Sequence, residues 1–159
     1  MDYGYTRKLD EFAAACPKGR VLGIDPGSTV IGLAISDDTR LIATPFISVN
    51  RTKWSKDLAA MGAVVTENKI AGIVIGYPIN MDGTEGPRCQ SVRQMAKNLV
   101  EAFALPILLW DERLSTSAVT RMMIDEGDLS RARRAELVDK LAASYMLQGA
   151  LDGMKHLAA

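Results

Sequence analysis

Apolar positions follow two rhythms along this chain. Short apolar runs at 21–24, 30–35, 70–75 and 106–110 are rich in Val, Ile and Leu and read as strands, several of them buried on both faces, and 41–49 makes a further strand. Between and after them, apolar residues recur at helical spacing. Trp54, Leu58, Met61 and Val65 form one stripe over 52–68, and Pro87 suits the first turn of a helix reaching about Phe103. Ser115 or Thr116 can cap a helix reaching about Glu126, which Gly127 stops. A last helix is expected from Arg134 to about Gly153, after a polar, basic connection over 128–133.

Pro26-Gly27 makes a short break between the first two runs, as in an antiparallel hairpin. The strand over 41–49 follows closely and completes a meander, and Pro45 within it predicts an edge position or a bulge. The order is three strands, then helix, strand, helix, strand, helix, helix. This is an α/β layer architecture with a mixed five-stranded sheet, three antiparallel strands followed by parallel additions. Right-handed helical crossovers make the strands beginning near 21, 70 and 106 mutually parallel, so they share one carboxyl edge, where open α/β sheets bind ligands. Leu9, Phe12, Ala13 and Cys16 share helical spacing, so residues 1–20 read as an N-terminal extension carrying a short helix. Residues 21–153 form one domain and 154–159 a short tail.

Composition narrows the chemistry. Lys+Arg and Asp+Glu both number 19 in 159 residues, so any basic surface is local. The two cysteines, Cys16 and Cys89, lack metal-ligand spacing and read as reduced thiols of a cytoplasmic protein, and the single His156 lies near the end. Neither a Ser-His triad nor a His-rich zinc site is expected. No run approaches the length of a membrane span.

Acids fall where the topology makes them informative. Asp25 ends the first parallel strand, while Asp111 and Glu112 end the last. Strand alternation sends Asp111 and Glu112 to opposite faces, so one of them can join Asp25; a salt bridge to Arg113 or a capping role near Ser115 is the structural alternative for both. Ala135, Asp139, Ala142, Met146 and Ala150 recur on one face of the last helix, which puts an acid among small apolar residues. An inward acid is costly unless neutralised. Acids from distant parts of the chain, without His or Cys partners, suit hard cations such as Mg²⁺. Two such ions roughly 4 Å apart activate water and stabilise the leaving oxygen in phosphodiester cleavage.

Four motifs then carry a resemblance. Gly-Ile-Asp-Pro-Gly-Ser-Thr-Val-Ile-Gly-Leu-Ala-Ile-Ser-Asp from Gly23 comes first, and the octapeptide from Asn80 to Pro87 follows. Asp-Glu-Arg-Leu-Ser-Thr begins at Asp111, and the last helix carries Val138-Asp139, Ala142-Ala143 and Leu147-Gln148. Together they closely resemble the YqgF/RuvX family over 21–152. The resemblance implies a ribonuclease H-like fold and a role as pre-16S rRNA nucleases, also described as Holliday junction resolvases. It matches Asp25, Glu112 and Asp139 to the family's acidic active-site and metal positions, and so prefers Glu112 over Asp111. The implied cofactor is Mg²⁺ or Mn²⁺, as two ions. The family usually carries a basic residue between the Pro-Gly turn and the Ile-Gly pair, a place held here by Thr29-Val30.

The leading expectation is a metal-dependent nuclease of ribosome biogenesis that matures the 5′ end of precursor 16S rRNA. Arg113, Arg131, Arg133 and Arg134 are its candidate phosphate contacts, and the loop over 80–86 could also present amides to a phosphate. The alternatives are a resolvase acting on branched DNA and a non-catalytic RNA-binding assembly factor. Single apolar stripes on the helices and zero net charge predict a monomer or weak dimer, with no membrane partner.

Overall fold

The computed structural model describes the backbone of residues 4–114 and 131–158, and the side chains of 4–113 and 140–157. The elements are β1 (Tyr5–Thr6), α1 (Leu9–Ala15), β2 (Arg20–Pro26), β3 (Val30–Ser36), β4 (Ala43–Asn50), α2 (Trp54–Glu67), β5 (Ile70–Tyr77), α3 (Pro87–Phe103) and β6 (Ile107–Asp111). A 3-10 turn over Glu112–Leu114 follows β6, and α4 spans Arg131–Ala158. The strands form one sheet in the order β1-β6-β5-β2-β3-β4. β2, β3 and β4 pair antiparallel, while β5 joins β2 and β6 joins β5 in parallel.

The sheet has six strands rather than the five expected. The addition is β1, whose Tyr5 and Thr6 pair with Ile107 and Leu108 at the outer edge of β6. Two residues are too few to show an apolar period. α1 also lies on the sheet. Phe12 is fully buried, and a side chain at Gly72 of β5 would meet Phe12 Cζ at 2.9 Å and Cys16 Sγ at 2.7 Å. β4 is the opposite edge, and its register shifts where Ala34 pairs with Pro45, so Pro45 occupies both an edge and a bulge.

Strand alternation divides the core into two layers. Leu22, Ile24, Ile73, Ile75 and Leu109 face α2 and α3. Val21, Ala34, Val74 and Leu108 face α1 and α4, where they meet Ala143, Met146, Leu147 and Ala150. The buried face of α2 differs from the expected stripe. Asp57, Met61 and Val64 are buried, with Trp54, Leu58 and Val65 only partly so. Asp57 tolerates burial because its Oδ1 accepts from the Thr52 amide at 3.1 Å and the Thr52 hydroxyl at 3.3 Å.

α4 begins three residues before the expected start and continues through the tail to Ala158. The helix expected from 115 to 126 lies outside the described residues. Gln148 fixes the direction of α4, accepting from the Ala43 amide at 2.8 Å and donating to the Leu41 carbonyl at 3.0 Å. Ala43 pairs with Ser36, whose hydroxyl accepts from the Val21 amide at the start of β2. The later turns of α4 therefore lie over the amino edge of β2, and its earlier turns run towards the carboxyl edge.

Gly23 sets how closely α4 approaches. A Cβ there would lie 2.9 Å from Leu147 Cβ and 3.3 Å from the Ala143 carbonyl oxygen, both too near the helix backbone to rotate away. Gly23→Ala is expected to lose about 1–3 kcal/mol of stability by overpacking, measured by urea unfolding. An unchanged midpoint would show that α4 stands off the sheet.

Candidate active site

β2, β5 and β6 end together, at Pro26, Tyr77 and Asp111. Asp25 is half-buried near the end of β2. Since Ile24 faces α3 and Gly23 lies under α4, alternation puts the Asp25 side chain on the α4 face. The chain then turns sharply. The Gly27 amide donates to the main-chain carbonyl of Asp25 at 3.0 Å, and any Cβ at Gly27 would overlap the Val30 carbonyl oxygen. The turn thus binds the Asp25 backbone through Gly27.

Asp111 and Glu112 part as alternation requires. Asp111 takes Arg113 in a fork, with Nε to Oδ1 at 3.0 Å and Nη2 to Oδ2 at 2.7 Å, and it also accepts from the Arg113 amide at 2.9 Å. The Arg113 guanidinium holds the Asp111 carboxyl below its ordinary value. Glu112 lies against Gly76 instead. A Cβ at Gly76 would stand 3.1 Å from both Cγ and Cδ of Glu112 and would overlap Oε1. Gly76 pairs with Trp110 on one side, and on the other it follows Ile75, the partner of Ile24. On this register Asp25 stands on the strand beside Gly76, the Glu112 carboxylate lies over Gly76 itself, and both are on the α4 face.

Asp139 occupies α4 one turn before Ala143, towards this same edge; its side chain lies outside the described residues. The side chains of Arg131, Arg133 and Arg134 also lie outside them, although their backbone forms the first turn of α4. Among the described residues no three His, Cys, Asp or Glu side chains gather. His156 sits in the last turn of α4, at the far end of the sheet, and Cys16 and Cys89 are buried in the two core layers. The donors at this edge are oxygens, which fit Mg²⁺ or Mn²⁺ and not a thiophilic metal. The gap that Gly76 leaves is what lets the Glu112 carboxylate reach the strand beside Asp25.

The loop over 80–86 closes on itself rather than presenting a row of amides. The Asn80 amide donates to the Thr84 carbonyl at 2.9 Å, the Gly83 amide to the Asn80 carbonyl at 2.8 Å, and the Thr84 amide to Asp82 Oδ1 at 3.0 Å. Glu85 latches the loop by accepting from the Tyr77 hydroxyl and from Arg93 Nη1 at 2.9 Å, and Arg7 lies over the Tyr77 ring at 4.9 Å. Burial, with Glu85 next in effect, pushes the Tyr77 phenol up to about 12. Sequence reasoning missed this latch, and also Arg51 and Arg88, because these residues meet only in the folded chain.

The hydrogen bond from Tyr77, with Arg7 and Arg93 assisting, lowers the Glu85 carboxyl below its ordinary value. A depressed carboxyl adds stability above its unfolded value of about 4.3, and that stability is lost as pH falls through the folded value. The melting-temperature gap between the wild type and Glu85→Gln is therefore expected to be widest at neutral pH and to shrink below about pH 4. A gap independent of pH would show that the charge of Glu85 does not hold the loop.

Comparison with known proteins agrees with this arrangement. A family model described as "RuvX: Holliday junction resolvase" matches residues 19–153. A relative from Rhodobacter capsulatus, named "Putative pre-16S rRNA nuclease", is 55% identical over 150 residues, covering 94% of each chain. One of the same name from Paramagnetospirillum magneticum is 58% identical over 133 residues, covering 84% of this chain and 85% of its own. Among solved structures, Thermus thermophilus RuvC in complex with a Holliday junction aligns over 87% of this chain and 96% of its own, with a TM-score of 0.55 and 17% identity. That likeness gives the fold, which is ribonuclease H-like. With a family match over nearly all of the sheet and α4, and relatives more than half identical, the chain belongs to the RuvX family of nucleases.

Proposed function

We propose that this protein is a metal-dependent nuclease that hydrolyses phosphodiester bonds in precursor 16S rRNA, in the cytoplasm, with Asp25, Glu112 and Asp139 as its catalytic acids. The supporting observation is the register that brings Asp25 beside Gly76, over which the Glu112 carboxylate lies. The names of the relatives from Rhodobacter capsulatus and Paramagnetospirillum magneticum support the RNA substrate.

Asp25 and Glu112 would hold Mg²⁺ or Mn²⁺ through carboxylate oxygens, with Asp139 as a third acid from α4. Two divalent ions, when bound, lower the pKa of water and neutralise charge on the phosphate. Asp25 is positioned by the tight turn at Gly27, and Glu112 by the short 3-10 turn and the opening at Gly76. Asp111 does a different job, because its fork with Arg113 orients that turn. Phosphate contacts fall to Arg113, Arg131, Arg133 and Arg134.

A second reading, cleavage of four-way DNA junctions, draws on the family description and on the RuvC likeness. Symmetric junction cutting requires two sites at a fixed spacing, usually in a twofold dimer. A monomer or weak dimer that trims single-stranded RNA is the outcome expected here.

Labelled single-stranded RNA and four-way junctions, each incubated with Mg²⁺ or Mn²⁺, separate the two readings, with size in solution measured alongside. Asp25→Asn and Glu112→Gln should each lower cleavage at least about a hundredfold, the scale of a group that acts in the transition state. Gly76→Ala, which crowds the Glu112 side chain from Cγ outwards, should lower it about 10–100-fold with the fold intact. Wild-type rates in all three variants would remove the acids from the chemistry, and a tight dimer cutting junctions faster than RNA would reverse the order of the readings.

A further inference from the structure

Arg51 and Arg88 converge on the far side of the turn that follows Asp25. The Arg51 amide donates to the Thr29 carbonyl at 2.9 Å, which ties Arg51 to the β2–β3 turn. Arg88 stands in the first turn of α3, with Nη2 3.4 Å from the Pro26 carbonyl oxygen. Between them is a cavity of about 170 Å³ whose other walls include Gly27, Ser28 and Ser91. Val92 and Met95, from the α3-side core, form its floor. The cavity and the Asp25 carboxylate thus lie on opposite faces of the end of β2, one residue apart along the strand.

Positive charge gathers around this cavity. Arg88 is at the positive end of a helix that has no acid in its first turn, a poor place for a cation. Arg51 and Arg88 both reach solvent; partial desolvation lowers the Arg51 pKa, Asp57 opposes this, and repulsion from Arg88 adds to it. Asp57, the acid that offsets Arg51, is 5% exposed, and its Oδ1 already accepts two hydrogen bonds from Thr52. A tetrahedral oxyanion would balance the two guanidinium groups, because the planar donors of Arg match phosphate oxygens. The volume is below the roughly 300–1,000 Å³ of pockets for whole small molecules, which suits a phosphate group without its base and sugar.

We propose that Arg51 and Arg88 hold a backbone phosphate of the nucleic-acid strand, next to the phosphate attacked at Asp25 and Glu112. This rests on the nuclease reading above. A strand draped over the end of β2 meets both faces in turn, so the pocket fixes its position without reading its sequence.

The test is binding of a fluorescent single-stranded RNA oligonucleotide to the full chain, by anisotropy in EDTA across a salt series. Arg51→Gln and Arg88→Gln should each make the slope of log K against log salt shallower by about 0.7, and the double variant by about 1.4. The double Lys variant should restore the slope, since the charge remains, and melting temperature checks that each variant folds. Unchanged slopes in folded variants would overturn the proposal, as would a wild type that binds no RNA. Inorganic phosphate forms a second arm. If it raises the wild-type melting temperature and not that of the double Gln variant while RNA slopes stay equal, the pocket serves free phosphate and the proposal fails. EDTA keeps binding apart from cleavage. Wild-type cutting with unchanged slopes overturns the pocket alone, whereas arginine-dependent binding without any metal-dependent cutting overturns the nuclease reading alone.

Discussion

The close approach of α4 to β2 governs the rest of the molecule. It is possible because Gly23 has no side chain, so that Leu147 and the Ala143 carbonyl come within contact of the strand itself. Small residues on the helix, Ala143 and Ala150, complete the fit. Close packing between a helix and a strand is rigid, since interiors pack like organic crystals and transmit displacements of a fraction of an ångström. A helix held this closely, and pinned at its later turns by Gln148, has a fixed axis, so its earlier turns reach the carboxyl edge of β2 at a fixed height.

At that edge a second missing side chain matters in a different way. Gly76 is the gap through which Glu112 reaches the strand beside Asp25. Asp111 is turned the other way, where Arg113 grips it in a two-pronged ion pair. Adjacent acids in sequence thus have different fates through strand alternation and one arginine.

Much of this was legible in the sequence, and the gaps have physical causes. The apolar runs and their breaks predicted the antiparallel meander, the parallel strands and the shared carboxyl edge, because the central strands β2 and β5 are buried on both faces and read as near-continuous apolar runs. The edge position of β4 followed from Pro45. β1 was not legible, since Tyr5 and Thr6 join the sheet through backbone pairing to β6 and carry no pattern of their own. The burial of Asp57 was not legible either, because its partner, Thr52, lies before the helix and bends back to satisfy it. Spacing alone left Asp111 and Glu112 open, for alternation says that they differ but not which face α4 covers. Family resemblance preferred Glu112, and the contact with Gly76 gives that preference a physical reason. Arg51 and Arg88 come from separate elements, so no local pattern joins them.

In the proposed metal site Asp25 and Glu112, with Asp139, bind the ion and Asp111 does not. Calorimetric titration of the folded protein with Mn²⁺ tests this without any nucleic acid. Saturable binding is expected in the wild type and in Asp111→Asn, and its loss in Asp25→Asn and Glu112→Gln. Retained binding in Glu112→Gln together with loss in Asp111→Asn would make Asp111 the ligand instead.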